Sequence, residues 1–265
     1  KLKMDSLWQI FFSLFRKKAE FFTYPKGGSL EFPLALARQI SESGGQIIEE
    51  AEVTGIEWNS DKITSLQTTR GKFQAERFVW TAPITTLDKL LFKNTETANR
   101  LDYISMIFYN MAVNERIPTE YRWCYFVDTN IFFPRLSIST LFSPLNSPKD
   151  KTSLTVEVTC KKDTEIWDNP QKYQNKIIED LKKIGAIKND TQVEKIYIEK
   201  IEYAYPIYRL GYKEKLTELE NKLKVYTNLT LSGRQGTFWY CNMDHCVEQG
   251  IDIANNLIKE LTQTY

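Results

Sequence analysis

The sequence predicts a mixed α/β fold in which helices bracket an antiparallel β-meander. Three observations carry that prediction. The hydrophobic period is helical before about residue 45, strand-like from there to about residue 81, and helical again at the end. Two short turns, Asn59-Ser60-Asp61 and Arg70-Gly71, join strands too closely for parallel pairing, which needs a long crossover. A short apolar strand near Leu229–Ser232 runs through a glycine-rich segment into a long final helix.

Each element follows from its residues. Segment 4–18 places Leu7, Ile10, Phe11, Leu14 and Phe15 at helical spacing. Tyr24-Pro25-Lys26-Gly27-Gly28 is a loop. A helix is predicted from about Ser29 to Ser43, with Ser29 as N-cap, Leu30, Leu34, Ala37 and Ile40 on one face, and Gly44-Gly45 as its stop. Segments 46–52, 53–58, 62–69 and 72–81 read as strands, the last stopped by Pro83. The middle is less regular. Short helices are expected within 84–100, strands near 104–114, 122–128, 131–139, 152–160 and 193–202, and an amphipathic helix at 170–184. A helix at 212–225 precedes the strand at Leu229. Gly233-Arg234-Gln235-Gly236 reads as a loop. The final helix, about Met243 to Leu261, has Met243, Val247, Ile251, Ala254, Leu257, Ile258 and Leu261 on one face.

Lys and Arg total 35 against 34 Asp and Glu, and this balance gives no electrostatic argument for nucleic acid. The longest apolar stretch near the N-terminus, Leu7 to Phe15, falls short of the roughly 18–20 residues of a membrane span. It reads as a core helix, with a membrane-surface helix as the alternative. Cys124, Cys160, Cys241 and Cys246 form no Cys-x-x-Cys pair and suggest reduced thiols in a cytoplasmic protein. Cys241 and Cys246 flank the single histidine, His245, which is too small a set for a metal site, so no metal is expected. One histidine beside a cysteine on a helix also makes no nucleophile–base pair.

The chemically informative stretch is Leu229 to Gly250. Gly233 and Gly236 allow close backbone approach to a flat ligand, and Arg234 offers a planar cation. Asn242 is a candidate N-cap, and the helix start it would cap favours an anion. The same residues also read as an ordinary capped strand–loop–helix. Tyr203, Tyr205, Tyr208, Tyr212 and Tyr240 read either as core and rim or as the lining of a substrate cavity.

The run Gly233-Arg234-Gln235-Gly236-Thr237-Phe238-Trp239-Tyr240-Cys241-Asn242-Met243-Asp244, followed by Gly250 and Ala254, resembles the C-terminal flavin motif of the FAD-dependent amine-oxidase superfamily. That superfamily includes protoporphyrinogen-oxidase-like proteins, phytoene-desaturase-like proteins and UDP-galactopyranose mutases. Tyr24-Pro25-Lys26-Gly27-Gly28 and the meander from Val53 and Ile56 to Val79-Trp80-Thr81-Ala82-Pro83 fit the same family. The resemblance implies FAD as cofactor, a small-molecule substrate, and part of an FAD domain with an inserted substrate domain. Its divisions would be 1–45 (substrate-domain helices and Gly-Gly loop), 46–83 (FAD-domain meander), 84–205 (substrate domain) and 206–265 (FAD-domain strand and helix). It implies cofactor contacts at Val53, Thr81, Pro83, Gly233, Arg234, Asn242, Met243 and Asp244, and substrate contacts at Tyr205, Tyr208 and Tyr240.

The family opens with a strand–G-x-G-x-x-G–helix unit that holds the FAD pyrophosphate, and this sequence contains no such motif. The expectation is therefore a portion of a longer FAD-dependent oxidoreductase, inactive and poor at retaining FAD alone, with apolar surface that favours self-association. The alternative is a UDP-galactopyranose-mutase-like isomerase, suggested by Tyr205-Pro206-Ile207 with the 233–244 run. Mutases carry an acidic residue where this chain has Asn242. A binding module that shares only the architecture is the third reading.

Overall fold

The computed structural model describes residues 23–93 and 101–263. The helix expected at 4–18 lies outside them. Helix α1 spans Glu31–Glu42 and begins after Leu30, not on a Ser29 side-chain cap. It ends as the glycines require: Gly44 takes φ +84°, Gly45 N–H donates to the Ile40 carbonyl and Gly44 N–H to that of Ser41. Segment 46–52 is not a strand, because the chain turns there and Glu50 adopts φ +54°. Strands β1 (Val53–Asn59), β2 (Lys62–Thr68) and β3 (Gly71–Gln74) then form the expected antiparallel meander.

The strand expected across 72–81 is two strands in two sheets. After β3, the exposed residues 75–77 carry the chain into β4 (Phe78–Trp80), which pairs in parallel with β10 (Leu229–Leu231). Asn228 causes the switch. Its side-chain amide donates to the carbonyls of Ile63 and Glu76 and its oxygen accepts from Ile63 N–H at 2.9 Å. Its own carbonyl accepts from Phe78 N–H. One buried carboxamide thus joins the central strand of the meander to the parallel pair.

Helix α2 (Ile84–Phe92) starts on the Pro83 carbonyl. A five-stranded antiparallel sheet follows, ordered β6 (Trp123–Tyr125), β7 (Arg135–Ile138), β8 (Thr152–Cys160), β5 (Asp102–Val113) and β9 (Val193–Ile207). A one-turn helix α3 (Glu165–Asp168) and helix α4 (Gln174–Lys183) lie between β8 and β9, and α5 (Tyr212–Leu223) follows β9. Alternate residues Ile107, Tyr109, Met111 of β5 and Leu154, Val156, Val158 of β8 point into one core with Ile177 and Leu181 of α4. A second core gathers Ile56, Ile63, Trp80, Ile84, Leu87, Leu219 and Phe238 around the meander and the parallel pair. A one-turn helix, α6 (Gly233–Gly236), stands where a loop was expected, and α7 (Met243–Gln263) closes the fold.

The apolar stripes of α1 and α7 find no cover among the described residues. Leu30, just before α1, and Leu34 and Ile40 within it are exposed, as are Met243, Ile251 and Ile258 of α7. The helical period was legible; what covers the face it marks was not. Among those residues no helix is long and apolar enough to cross a membrane.

Asp180 locks α4 to the loop between β6 and β7. Its carboxylate, wholly buried, accepts from Phe132 N–H at 2.8 Å, Lys183 at 2.8 Å and Lys176 at 3.1 Å. Burial alone would raise its pKa, but these three donors outweigh it and hold the carboxyl below the usual range. A depressed folded-state pKa stabilises the protein above the unfolded Asp value, and that stability is lost as pH falls through the folded value. Urea unfolding from neutral pH downward should therefore show a flatter acid limb for Asp180→Asn than for the parent, with a lower midpoint at neutral pH.

Candidate functional site

The parallel strands β4 and β10 end side by side at Trp80 and Leu231. Ser232 N–H adds one rung, donating to the Trp80 carbonyl at 3.0 Å. The chain then reverses through Gly233, at φ +73°, into the single turn of α6. Gly236 is the tightest point of the reversal. A Cβ there would stand 2.4 Å from the Trp80 carbonyl oxygen, closer than any side chain tolerates. Glycine is therefore what lets α6 seat on the end of β4.

Helix α7 returns to this reversal. Gln249 Oε1 accepts from Gly233 N–H at 2.7 Å and from the Ser232 hydroxyl at 3.4 Å. Cys246 N–H donates to the Asn242 carbonyl, which puts Asn242 at the cap position expected of it. Asn242, Met243 and Asp244 are exposed there. His245 Nδ1 lies 2.9 Å from Asp244 Oδ1 and 3.4 Å from Asn242 N. Against the effect of burial, the bonds from His245 hold the Asp244 carboxyl below the usual range. Thr81, exposed at the end of β4, faces Gly233, and Pro83 starts α2 just beyond.

Arg234 is held inward. Its Nε donates to the Cys241 carbonyl at 2.9 Å, its Nη2 donates to the same oxygen, and its Nη1 reaches the Ala204 carbonyl at 3.5 Å. The guanidinium lies over the rings of Tyr205 (4.7 Å) and Tyr240 (5.2 Å). Its hydrogen bonds fix the 237–242 segment, and its charge sits among aromatic faces. The Tyr208 hydroxyl accepts from Tyr240 N–H at 2.6 Å, and its ring stacks on Tyr212 at 4.6 Å. Burial pushes the Tyr208 phenol up. The three tyrosines singled out from the sequence thus form one cluster around Arg234.

Ten of the eleven predicted site residues surround this strand end, its reversal and the Arg234 cluster. Val53 stands at the first rung of β1, packed against the second core. Three participants were missed. The Trp80 carbonyl and Gln249 act through pairings that leave no local sequence signal. Tyr103, from β5, donates its hydroxyl to the Gln235 carbonyl at 3.0 Å and packs edge-on against Phe238. Burial raises its pKa. Tyr103 falls just before the strand predicted from about residue 104, and no local pattern ties it to residue 235.

The arrangement suits a flat anionic ligand. The carboxyl ends of parallel strands are where open sheets bind ligands, and a helix start favours negative charge by about 0.3–1 kcal/mol. Gly233, partly exposed, presents no side chain at this strand end, while Gly236 is buried against Trp80. Among the described residues no cluster of three or more His, Cys, Asp or Glu side chains is arranged to hold a metal.

Comparison with known proteins gives a consistent fold. The family described as flavin containing amine oxidoreductase matches residues 3–258. A reduced UDP-galactopyranose mutase is similar with TM-score 0.78 and 19% identity, covering 89% of this chain and 53% of its own. A protein assigned as a protoporphyrinogen oxidase from Exiguobacterium sp. 255-15 is similar with TM-score 0.70 and 18% identity, covering 94% and 55%. Putrescine oxidase bound to putrescine is similar with TM-score 0.61 and 13% identity, covering 88% and 53%. At these identities the likeness is one of fold, and the chain spans about half the length of these solved structures. No curated protein sequence matches.

The seat of α6 on β4 is testable by adding one methyl group. Gly236→Ala should destabilise the protein by about 1–3 kcal/mol in denaturant unfolding, the usual cost of overpacking. Gly250→Ala, inside α7 where an added Cβ meets open space, should instead raise the unfolding midpoint, by about 0.5–1 kcal/mol, the helix-propensity gain of Ala over Gly.

Proposed function

We propose that this chain, which belongs to the family of flavin containing amine oxidoreductases, supplies the strand-end and helix-start side of an FAD site in an oxidoreductase acting on an organic small molecule. The observation that supports it best is the close seating of Gly236 on Trp80, which, with the Gln249 bond to Gly233, brings α7 to the ends of β4 and β10. FAD, when bound, supplies the ring that accepts the substrate's hydride. The residues of this chain hold and orient. Gly233 and Thr81 give a close-fitting backbone floor. The start of α7, at Asn242, Met243 and Asp244, would hold the cofactor through the partial positive charge of its backbone N–H groups. Arg234 keeps the 237–242 segment in place through the Cys241 carbonyl and adds positive charge nearby. Pro83 and Val53 belong to the elements that frame the floor, Val53 through its backbone. Tyr205, Tyr208 and Tyr240 line the approach for substrate.

In this reading residues 46–83 and 206–265 are the cofactor side and 84–205, with its five-stranded sheet, the substrate side. A dinucleotide-binding unit with its own G-x-G-x-x-G turn completes the site. The exposed apolar faces of α1 and α7 are where that unit packs, and they favour self-association when it is missing. The Arg234–Tyr205–Tyr240 cluster also favours a second reading, a UDP-galactopyranose-mutase-like isomerase, since a cation between aromatic faces suits a sugar nucleotide.

Absorbance spectra decide the first point. The protein purified as the longest product of its own gene should show the visible bands of flavin, and the 265-residue chain alone should show them weakly or not at all. If neither takes up FAD at saturation, the reading is wrong. Anaerobic bleaching by amine or porphyrinogen substrates, set against isomerisation of UDP-galactopyranose, then separates oxidoreductase from mutase.

A further inference from the structure

We infer that Cys241 and Cys246 are a redox-active dithiol that closes to an intramolecular disulfide. Their Sγ atoms lie 3.6 Å apart, in van der Waals contact. Both are free thiols. A disulfide needs about 2.05 Å, so closure requires the sulfurs to approach by roughly 1.5 Å, within reach of side-chain rotation. The backbone around them is held on both sides. Arg234 grips the Cys241 carbonyl, and Cys246 N–H donates to the Asn242 carbonyl in the first turn of α7. The two sulfurs therefore stay together as long as the reversal is folded.

The pair is also asymmetric, as a dithiol that reacts in sequence requires. Cys246 is half-buried and open to reagent, whereas Cys241 is 1% exposed. Burial pushes the Cys241 thiol up to about 11, which makes it the resolving sulfur and not the first to attack. With a small disulfide as oxidant, the Cys246 thiolate attacks one of its sulfurs, forming a mixed disulfide and releasing one thiolate. The Cys241 thiolate then attacks the Cys246 sulfur, forming the internal bond and releasing the second thiolate. Two protein thiols are oxidised by two electrons, and one external disulfide is reduced to two thiols. Cys124 and Cys160 lie in the five-stranded sheet, away from this pair in sequence and element. The inference rests on the sulfur geometry and stands whether or not the flavin reading holds. Its consequence is local: oxidation ties the 237–241 segment to the first turn of α7, across Asn242–Asp244.

Mapping by mass spectrometry tests it. The native chain is incubated with excess oxidised glutathione, its free thiols are alkylated after denaturation, and it is digested with trypsin. Both cysteines fall in one peptide, because no Lys or Arg lies between Arg234 and Lys259. That peptide should be unalkylated and lighter by two hydrogens, and should take two alkyl groups after reduction. A doubly alkylated peptide, or a lasting glutathione adduct on Cys246, overturns the inference. In Cys241→Ser the adduct on Cys246 should persist; an unmodified Cys246 there would overturn the assigned order of attack.

Discussion

The carbonyl oxygen of Trp80 is the point on which the rest of the site depends. It accepts the Ser232 amide and at the same time lies where a Gly236 side chain would have to be. Only glycine satisfies both, because the hydrogen bond fixes the distance between the two backbones and the distance leaves no room for Cβ. From that contact the surrounding interactions follow. The reversal at Gly233 is pinned by Gln249, so the start of α7 is set relative to the ends of β4 and β10. Among the described residues the parallel pair has two strands and would be weak alone. Asn228 offsets this by joining it to the meander through buried hydrogen bonds to Ile63, whose loss would leave buried polar groups unpaired at about 1–3 kcal/mol each.

A second set of contacts couples this corner to the large sheet. Opposite Ile104–Met106 of β5, β9 passes from Tyr205 back to Ile201, so extra residues bulge out. The carbonyls of Tyr203 and Ala204, in that bulge, accept from the Gln235 side chain, and Ala204 also meets Arg234. The bulge spends backbone acceptors on α6 instead of on β5. Arg234 and Gln235 thus join the reversal at α6 to the five-stranded sheet, and the Tyr205–Tyr240 pair sits on that seam.

Much of this was legible in the sequence where the cause is local. The meander follows from two tight turns, the end of α1 from Gly44-Gly45, and the final helix from its apolar period. The reversal's glycines also announce themselves, though not whether they make a loop or one helical turn. What was hidden depends on residues far apart. Nothing in 72–81 says that the strand divides, because the division is enforced by Asn228, some 150 residues later. The stripe on α1 reads as one apolar face, yet among the described residues it is exposed, because period reports an apolar face and not its partner. Arg234 reads as an anion binder, yet its hydrogen bonds turn to Cys241, whose carbonyl is brought within reach only by the fold of residues 237–241. Tyr103 and Gln249 lie at distances no local pattern spans.

Native-state hydrogen exchange at the Ser232 amide tests the account most directly, since that proton lies in the contact on which the site depends. If Trp80, Ser232 and Gly236 form one rigid seat, this amide exchanges only on global unfolding, as slowly as those of Met106–Met111 in the centre of the five-stranded sheet. Exchange within the time of loop amides such as those near Asn130 would show that the reversal opens on its own, and the seat could then not position the start of α7.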